Sequence, residues 1–364
     1  DIIKNIKVDF ISFNADFTKY SLERDNKIID LCIKNDIKTL IDGDDQTLIE
    51  MKELIKKDKT PYLIFGPFYK NECDFIVNKP VSIKNDKYSK INFDFKYKFK
   101  YKDLKTLYIF NEHLAQRGER TEGLKNMQHI KKREYIMFNT GFNISAALNF
   151  GLISTREFYH KFKKNKNIVR QLYWRDFYLC ILRYHTNGNS YTKFLDDRYN
   201  KIKWKNNKKD WEALINCKTG FLLVDSAMME LKTTGFISNR SRLINGTFWL
   251  KYLLVNPFGD YGLQVGYSKY LVDCSTSQNK LNIQWLLSEL DLPGRRFIKR
   301  GEHPLTGRVI RIDNGQIKKY DPQGKYIKKW LPHLKDKSIK ELLDYPTIFN
   351  PITRYQEYCD LFKK

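Results

Sequence analysis

The chain has 364 residues, enough for two or three domains and a large core, with 66 basic against 42 acidic residues and a net charge of +24. That excess favours a polyanionic partner, nucleic acid first and an anionic membrane second. Six scattered cysteines with no CxxC or Cys/His spacing argue against a disulfide framework and a zinc site, and no apolar run is long enough to span a bilayer. The start, "DIIKNIKVDF", lacks the layout of a signal peptide. The expected setting is therefore intracellular and reducing, cytoplasmic or nuclear. The first residue is Asp1 and not methionine, which leaves room for an upstream segment.

Residues 6–13, "IKVDFISF", read as a buried strand. Residues 24–42 carry apolar side chains at helical spacing, then a short strand at 38–41. A further helix is expected over about 46–57, and "PYLIF" (61–65) reads as a third strand. Residues 1–80 thus predict an incomplete α/β lobe, short of a full doubly wound parallel sheet. Such a lobe leaves a sheet edge that a helix, a loop or a separate chain has to cover. Residues 81–105 are a connector; its "FKYKFKYK" (95–102) fits either an amphipathic extended segment or a nucleic-acid contact. Helical spacing dominates from about 120 to 290, so a large helical domain is expected over 106–350, with 351–364 a tail. The fold class is α/β plus all-α.

One stretch stands out. "TGFISNRSR" (234–242) places Asn239, Arg240 and Arg242 within four residues, and no acidic residue falls between Leu231 and Leu250. A solvated helix face usually mixes charges, so this one points to a polar pocket that faces an anion. Aromatics at 15% of the chain suit stacked bases or a flat cofactor.

Two segments, "VRQLYWRDFY" (169–178) and "KTGFLLVDSAMMELKTTGFISNR" (218–240), resemble in order the Trp-Arg-acid-aromatic helix and the Thr-Gly, Val-Asp-Ala-x-Met and Asn-Arg run of the photolyase/cryptochrome family. "DCSTSQNKLNIQW" (273–285), "KYDPQGKYIKKWLP" (319–332) and "NADFTKYSLERD" (14–25) match further signatures of that family. The resemblance implies a helical FAD-binding domain and ultraviolet-damaged DNA as partner, with no metal. It implies light-driven splitting of cyclobutane pyrimidine dimers by an electron from reduced FAD.

Residue by residue, the resemblance places Asn239 near flavin and substrate and Arg240 toward DNA. Arg242 is to pair with Asp273 beside the flavin ring, since a buried arginine needs such a partner. Asn279 matches the asparagine at the flavin N5 edge, and Ser275 replaces a second acidic residue. "HIKKREYIMFNTGFNIS" (129–145) aligns with the phosphate-binding turn. There Ser145 matches a serine, Arg133 matches an arginine linked to DNA contact, and His129 stands where the family has tyrosine. Gly141 and Phe142 replace a Thr-Ser pair, so phosphate binding leans on backbone amides, Ser145 and Arg175. Gln171 orients a carbonyl but offers no acid. With Asn239, Asn279, Arg242 and Asp273 it forms the implied catalytic set.

Trp174 and Trp285 match two tryptophans that flank a flipped-out dimer; core packing is the ordinary alternative for any tryptophan. Ser238 and Leu243 stand where photolyases for pyrimidine-pyrimidone lesions need a histidine, which favours cyclobutane dimers. Of the family's electron relay, Trp204 matches the outer member, while Pro257 and Ile283 fall at the middle and inner ones. An antenna chromophore is expected to be absent. Two other functions stay open: a cryptochrome-type flavin photoreceptor, and a non-catalytic DNA-binding remnant.

Overall fold

The computed structural model of the chain describes residues 2–42, 46–81, 109–130, 143–185, 197–262, 269–287 and 312–361, with single residues 103, 106, 194, 266 and 310 besides. Arg133, the Gly141–Phe142 pair and most of the connector lie outside them.

Strand β1 (Phe10–Asn14) pairs in parallel with β2 (Lys38–Asp42), Phe10 opposite Lys38 through Asn14 opposite Asp42. Helix α1 (Lys19–Lys34) joins them; Thr18 caps it by accepting from the Ser21 amide at 3.2 Å. These are the two strands among the described residues, one fewer than expected. The strand expected over 6–13 starts only at Phe10, after a one-turn helix at Ile2–Asn5. The helix expected over 46–57 is a single 3-10 turn, Met51–Leu54. "PYLIF" is not a strand: the chain reaches α2 (Phe65–Glu72) without pairing.

The physical reason lies in the core. Leu48, Met51, Leu54, Phe65, Phe68 and Val77 are buried in one cluster with Met127, Ile153, Leu172, Phe177 and Ile181. The apolar side chains of 46–77 thus pack on the helical body, and burial there replaces sheet pairing. That body contains α3 (Arg120–His129), α4 (Ser145–Asn149), α5 (Thr155–Phe162) and α6 (Lys166–Tyr184).

A second cluster holds α7 (Leu222–Thr234), α8 (Asn239–Thr247), α9 (Thr276–Leu286), α10 (Lys325–Trp330) and α11 (Pro351–Asp360) together around Trp249 and Tyr358. A Thr-Gly turn starts α7. Asp225 accepts from the Thr219 hydroxyl at 2.7 Å and amide at 3.1 Å, and from the Gly220 amide at 2.9 Å. Helix α7 stops at Gly235, in the left-handed region at φ 69°. Three residues later Ser238 caps α8, accepting from the Ser241 amide at 3.1 Å. Asn239, Arg240 and Arg242 therefore occupy the first turn of α8, where the helix dipole disfavours cations. No helix among the described residues is long and apolar enough to cross a membrane, and none of their His, Cys, Asp and Glu side chains cluster as a metal site.

Candidate functional site

Helix α6 turns one stripe toward a cavity of about 360 Å³: Asn167, Arg170, Gln171, Trp174, Arg175 and Tyr178, spaced three to four residues apart as one helical face requires. Helix α8 adds Asn239 and Leu243. Helix α9 adds Gln278, Asn282 and Trp285. Among the described residues the lining contains five amide side chains, three aromatics, two arginines and a leucine, and no carboxylate. The Tyr178 hydroxyl donates to Asn282 at 3.4 Å, and Asn282 donates to the Gln278 carbonyl at 2.8 Å. Gln171 donates weakly to the Asn167 carbonyl at 3.5 Å. Trp174 is half-buried; Phe65 stacks on it with centroids 3.7 Å apart and planes 7° from parallel.

A second, more polar cavity of about 410 Å³ shares Arg175 and Gln278 with the first. Asn14, Asp16 and Thr18 reach it from the end of β1, Gln46 from the loop beyond β2, and Ser275 and Ser277 from the start of α9. Asn149, Ser154 and Thr155 come from α4 and the start of α5. Arg175 donates to the Gln46 carbonyl and lies 3.6 Å from Asp176, while burial pulls its pKa below the ordinary guanidinium value. Two buried polar atoms here, Thr155 Oγ1 and Gln278 Nε2, have no hydrogen-bond partner among the described residues. An unmet buried polar group costs about 1–3 kcal/mol, so this cavity suits a polar ligand. The donor set fits the polar part of FAD: a guanidinium, hydroxyls, amides and the uncapped start of α9.

An ion pair that lines neither cavity ties the start of α8 to Asp273. Arg242 Nη2 lies 2.8 and 2.9 Å from the two carboxylate oxygens of Asp273, and its Nε donates to the Ile237 carbonyl at 3.1 Å. Asp273 offsets the unfavourable charge at the start of α8. Asn279 donates to Cys274 Sγ at 3.2 Å, and Ser275 donates to Gln278. Ser145 opens α4 and accepts from the buried Gln116 at 3.0 Å; Gln116 also accepts from the Ala146 amide at 2.8 Å.

Seven expected site residues line neither cavity: Ser145, Arg242, Asp273 and Asn279, with the bonds just given, and His129, Arg240 and Trp204. His129 is exposed at the end of α3 and lines neither cavity: the buried side of that helix is Gly123 and Met127. Arg240 is half-buried with its guanidinium 5.5 Å from the Tyr320 ring centre. Trp204 stacks on Phe194 at 6.1 Å, and its buried Nε1 has no partner among the described residues. Pro257 sits in a turn and not in a helix. The residue-level reading missed Arg170, Tyr178, Gln278 and Asn282, although continuing the helical faces of Trp174 and Trp285 by three or four residues finds them.

Residues 168–358, more than half of the chain, match the FAD binding domain of DNA photolyase. The chain belongs to the photolyase/cryptochrome family. It is 28% identical over 244 residues to the mitochondrial deoxyribodipyrimidine photo-lyase of Saccharomyces cerevisiae, covering 62% of this chain and 40% of that protein. The deoxyribodipyrimidine photo-lyase of Escherichia coli is 27% identical over 256 residues, covering 63% of this chain and 50% of that protein. The matches thus span about half the length of these photolyases.

Among solved structures, an archaeal photolyase from Sulfolobus tokodaii with two FAD molecules superposes at TM-score 0.81 with 28% identity, covering 98% of this chain and 79% of that one. A class III photolyase from Agrobacterium tumefaciens, at TM-score 0.81, 18% identity and 97% and 79% coverage, shares the fold. So does a Synechocystis cryptochrome, at 0.73, 21%, and 98% and 80%. Both cavities draw on the FAD binding domain, but Phe65, Gln46, Ser145 and His129 lie before the residues it matches.

Proposed function

We propose that this chain is a photolyase-type flavoprotein that repairs cyclobutane pyrimidine dimers in DNA. One observation carries the reading: a cavity whose described lining has five amides, both Trp174 and Trp285, and no carboxylate. Pyrimidines present neutral carbonyl and imide edges, which amides match as donors and acceptors. A carboxylate there would repel the flanking phosphates. Each indole offers a stacking face, worth roughly 1–3 kcal/mol per base. A dimer is already poorly stacked, so extruding it costs less than extruding an intact pair.

Arg175, Ser275 and the start of α9 would hold the polar part of FAD, with Ser145 and Asn279 as further contacts. Reduced FAD, when bound and lit, supplies the electron that opens the dimer. Arg242 and Asp273 hold charge fixed beside Asn239, and Gln171 orients a dimer carbonyl without giving up a proton. Arg133 and Arg240 remain proposed DNA contacts.

The test is incubation of the chain, FAD and a reductant with ultraviolet-irradiated DNA, in blue light and in darkness. Dimer loss only in light is expected. Trp174→Ala should lower the preference for irradiated DNA while leaving binding to undamaged DNA nearly unchanged. Photoreduction of the flavin with no dimer loss would instead support a cryptochrome-type photoreceptor. We expect one FAD per chain and no antenna pigment; two FAD per chain would overturn that stoichiometry.

A further inference from the structure

We infer that Arg170 is a further nucleic-acid contact, a cation seated on an aromatic pair at the mouth of the amide-lined cavity and placed to take a backbone phosphate. The inference rests on the reading above and adds to it a site residue that lies outside the expected set.

Arg170 is exposed and lines the cavity, so it stands at its mouth. Its guanidinium carbon lies 5.4 Å from the ring centre of Phe65 and 5.4 Å from that of Tyr69. Those rings lie one helical turn apart on α2 and stack at 5.8 Å and 24°. Phe65 also stacks on Trp174, so one ring touches both the cation and the indole. Two partially buried arginines pair with acids, Arg242 with Asp273 and Arg354 with Asp210, while Arg183 and Arg240 lie over rings as Arg170 does. Among the described residues Arg170 forms no ion pair, and none of those that line the cavity is a carboxylate.

A solvated arginine that serves only solubility needs no seat. Two rings under the guanidinium restrict its motion before anything binds, so less freedom is lost on contact. The planar fork then suits a phosphate, while the neutral amides deeper in the cavity suit a base. The seat comes from the 46–77 segment, which thereby shapes the binding face as well as the core.

The experiment titrates the full chain with duplex DNA, irradiated and not, over a salt series. Arg170→Gln should weaken binding to both DNAs by the same factor, about three- to tenfold at ~0.1 M salt, and lower the slope of log affinity against log salt by about one. Tyr69→Leu should give a smaller loss of the same kind. Lys340→Gln, an equal loss of charge at an exposed position off the cavity, sets the baseline. If Arg170→Gln loses no more than Lys340→Gln, the inference is overturned, and a wild-type preference for irradiated DNA would leave the repair reading standing. If the wild type shows no such preference while Arg170→Gln still flattens the slope, the lesion reading fails and the phosphate contact stands. No DNA binding by the wild type overturns both.

Discussion

Glu230 shows how a single half-buried acid sets a pH response. Its carboxyl is pushed up to about 7, chiefly by burial, although the Tyr326 hydroxyl donates to it at 2.6 Å. In the unfolded chain the same group loses its proton near 4.5. Between those values the folded state holds the proton and the unfolded state does not. Stability therefore falls as pH rises from about 4.5 to 7 and levels off above, by on the order of 3 kcal/mol at most. Glu230→Gln keeps an acceptor for Tyr326 and should make this slope shallower, leaving the part that Asp176 and Asp225, each pushed up to about 6 by burial, contribute; urea unfolding at several pH values checks it. A second residue-level expectation concerns light-driven reduction of oxidised FAD. Trp204 has Phe194 stacked at 6.1 Å and Phe258 a further 4.9 Å on, but Pro257 and Ile283 are not readily oxidised. Slow photoreduction with a thiol donor is expected, faster in Pro257→Trp with Ile283→Trp. Because Pro257 lies in a turn, replacing it disturbs no helix.

At the scale of elements, the turn that starts α7 is the most constrained. Gly220 has φ 78°, and a Cβ there would sit 1.9 Å from the Pro346 carbonyl oxygen. Gly220→Ala should cost more than about 3 kcal/mol, read as a large fall in melting temperature, because both backbone strain and a backbone clash oppose it. A melting temperature equal to wild type would falsify this account of the Thr-Gly signature. This element was legible in the sequence, as were α6, α8 and α9, because their motifs carry side chains whose chemistry fixes their spacing. Residues 46–65 were not. A short apolar run fits a strand or a buried irregular segment equally well, and Phe65 meets Trp174 only through tertiary packing. His129 lines neither cavity: a motif position supplied its expected role, while the buried side of α3 is Gly123 and Met127.

For the whole molecule, the sheet and the charge pull in different directions. Phe10 and Leu40 lie on one face of the β1–β2 pair and are each 61% exposed; Ile33 on α1 is 71% exposed. Parallel strands are normally covered on both faces. Concentration-dependent self-association is therefore expected by sedimentation velocity, reduced in Phe10→Lys with Leu40→Lys; a monodisperse wild type would remove the premise. The net charge of +24 opposes such contacts at low salt, so association should strengthen as salt rises.

The common wall of the two cavities has a thermodynamic reach of its own. Arg175 and Gln278 face both spaces, so neither can be filled without changing what the other meets. If lesion and flavin occupy them as proposed, their affinities are coupled, and the coupling is reciprocal. Whatever factor the cofactor adds to lesion binding, the lesion must add to cofactor retention. Flavin should leave the chain more slowly in the presence of irradiated DNA than of intact DNA, by the same factor that separates the loaded from the flavin-free protein in lesion affinity, provided flavin association is unchanged.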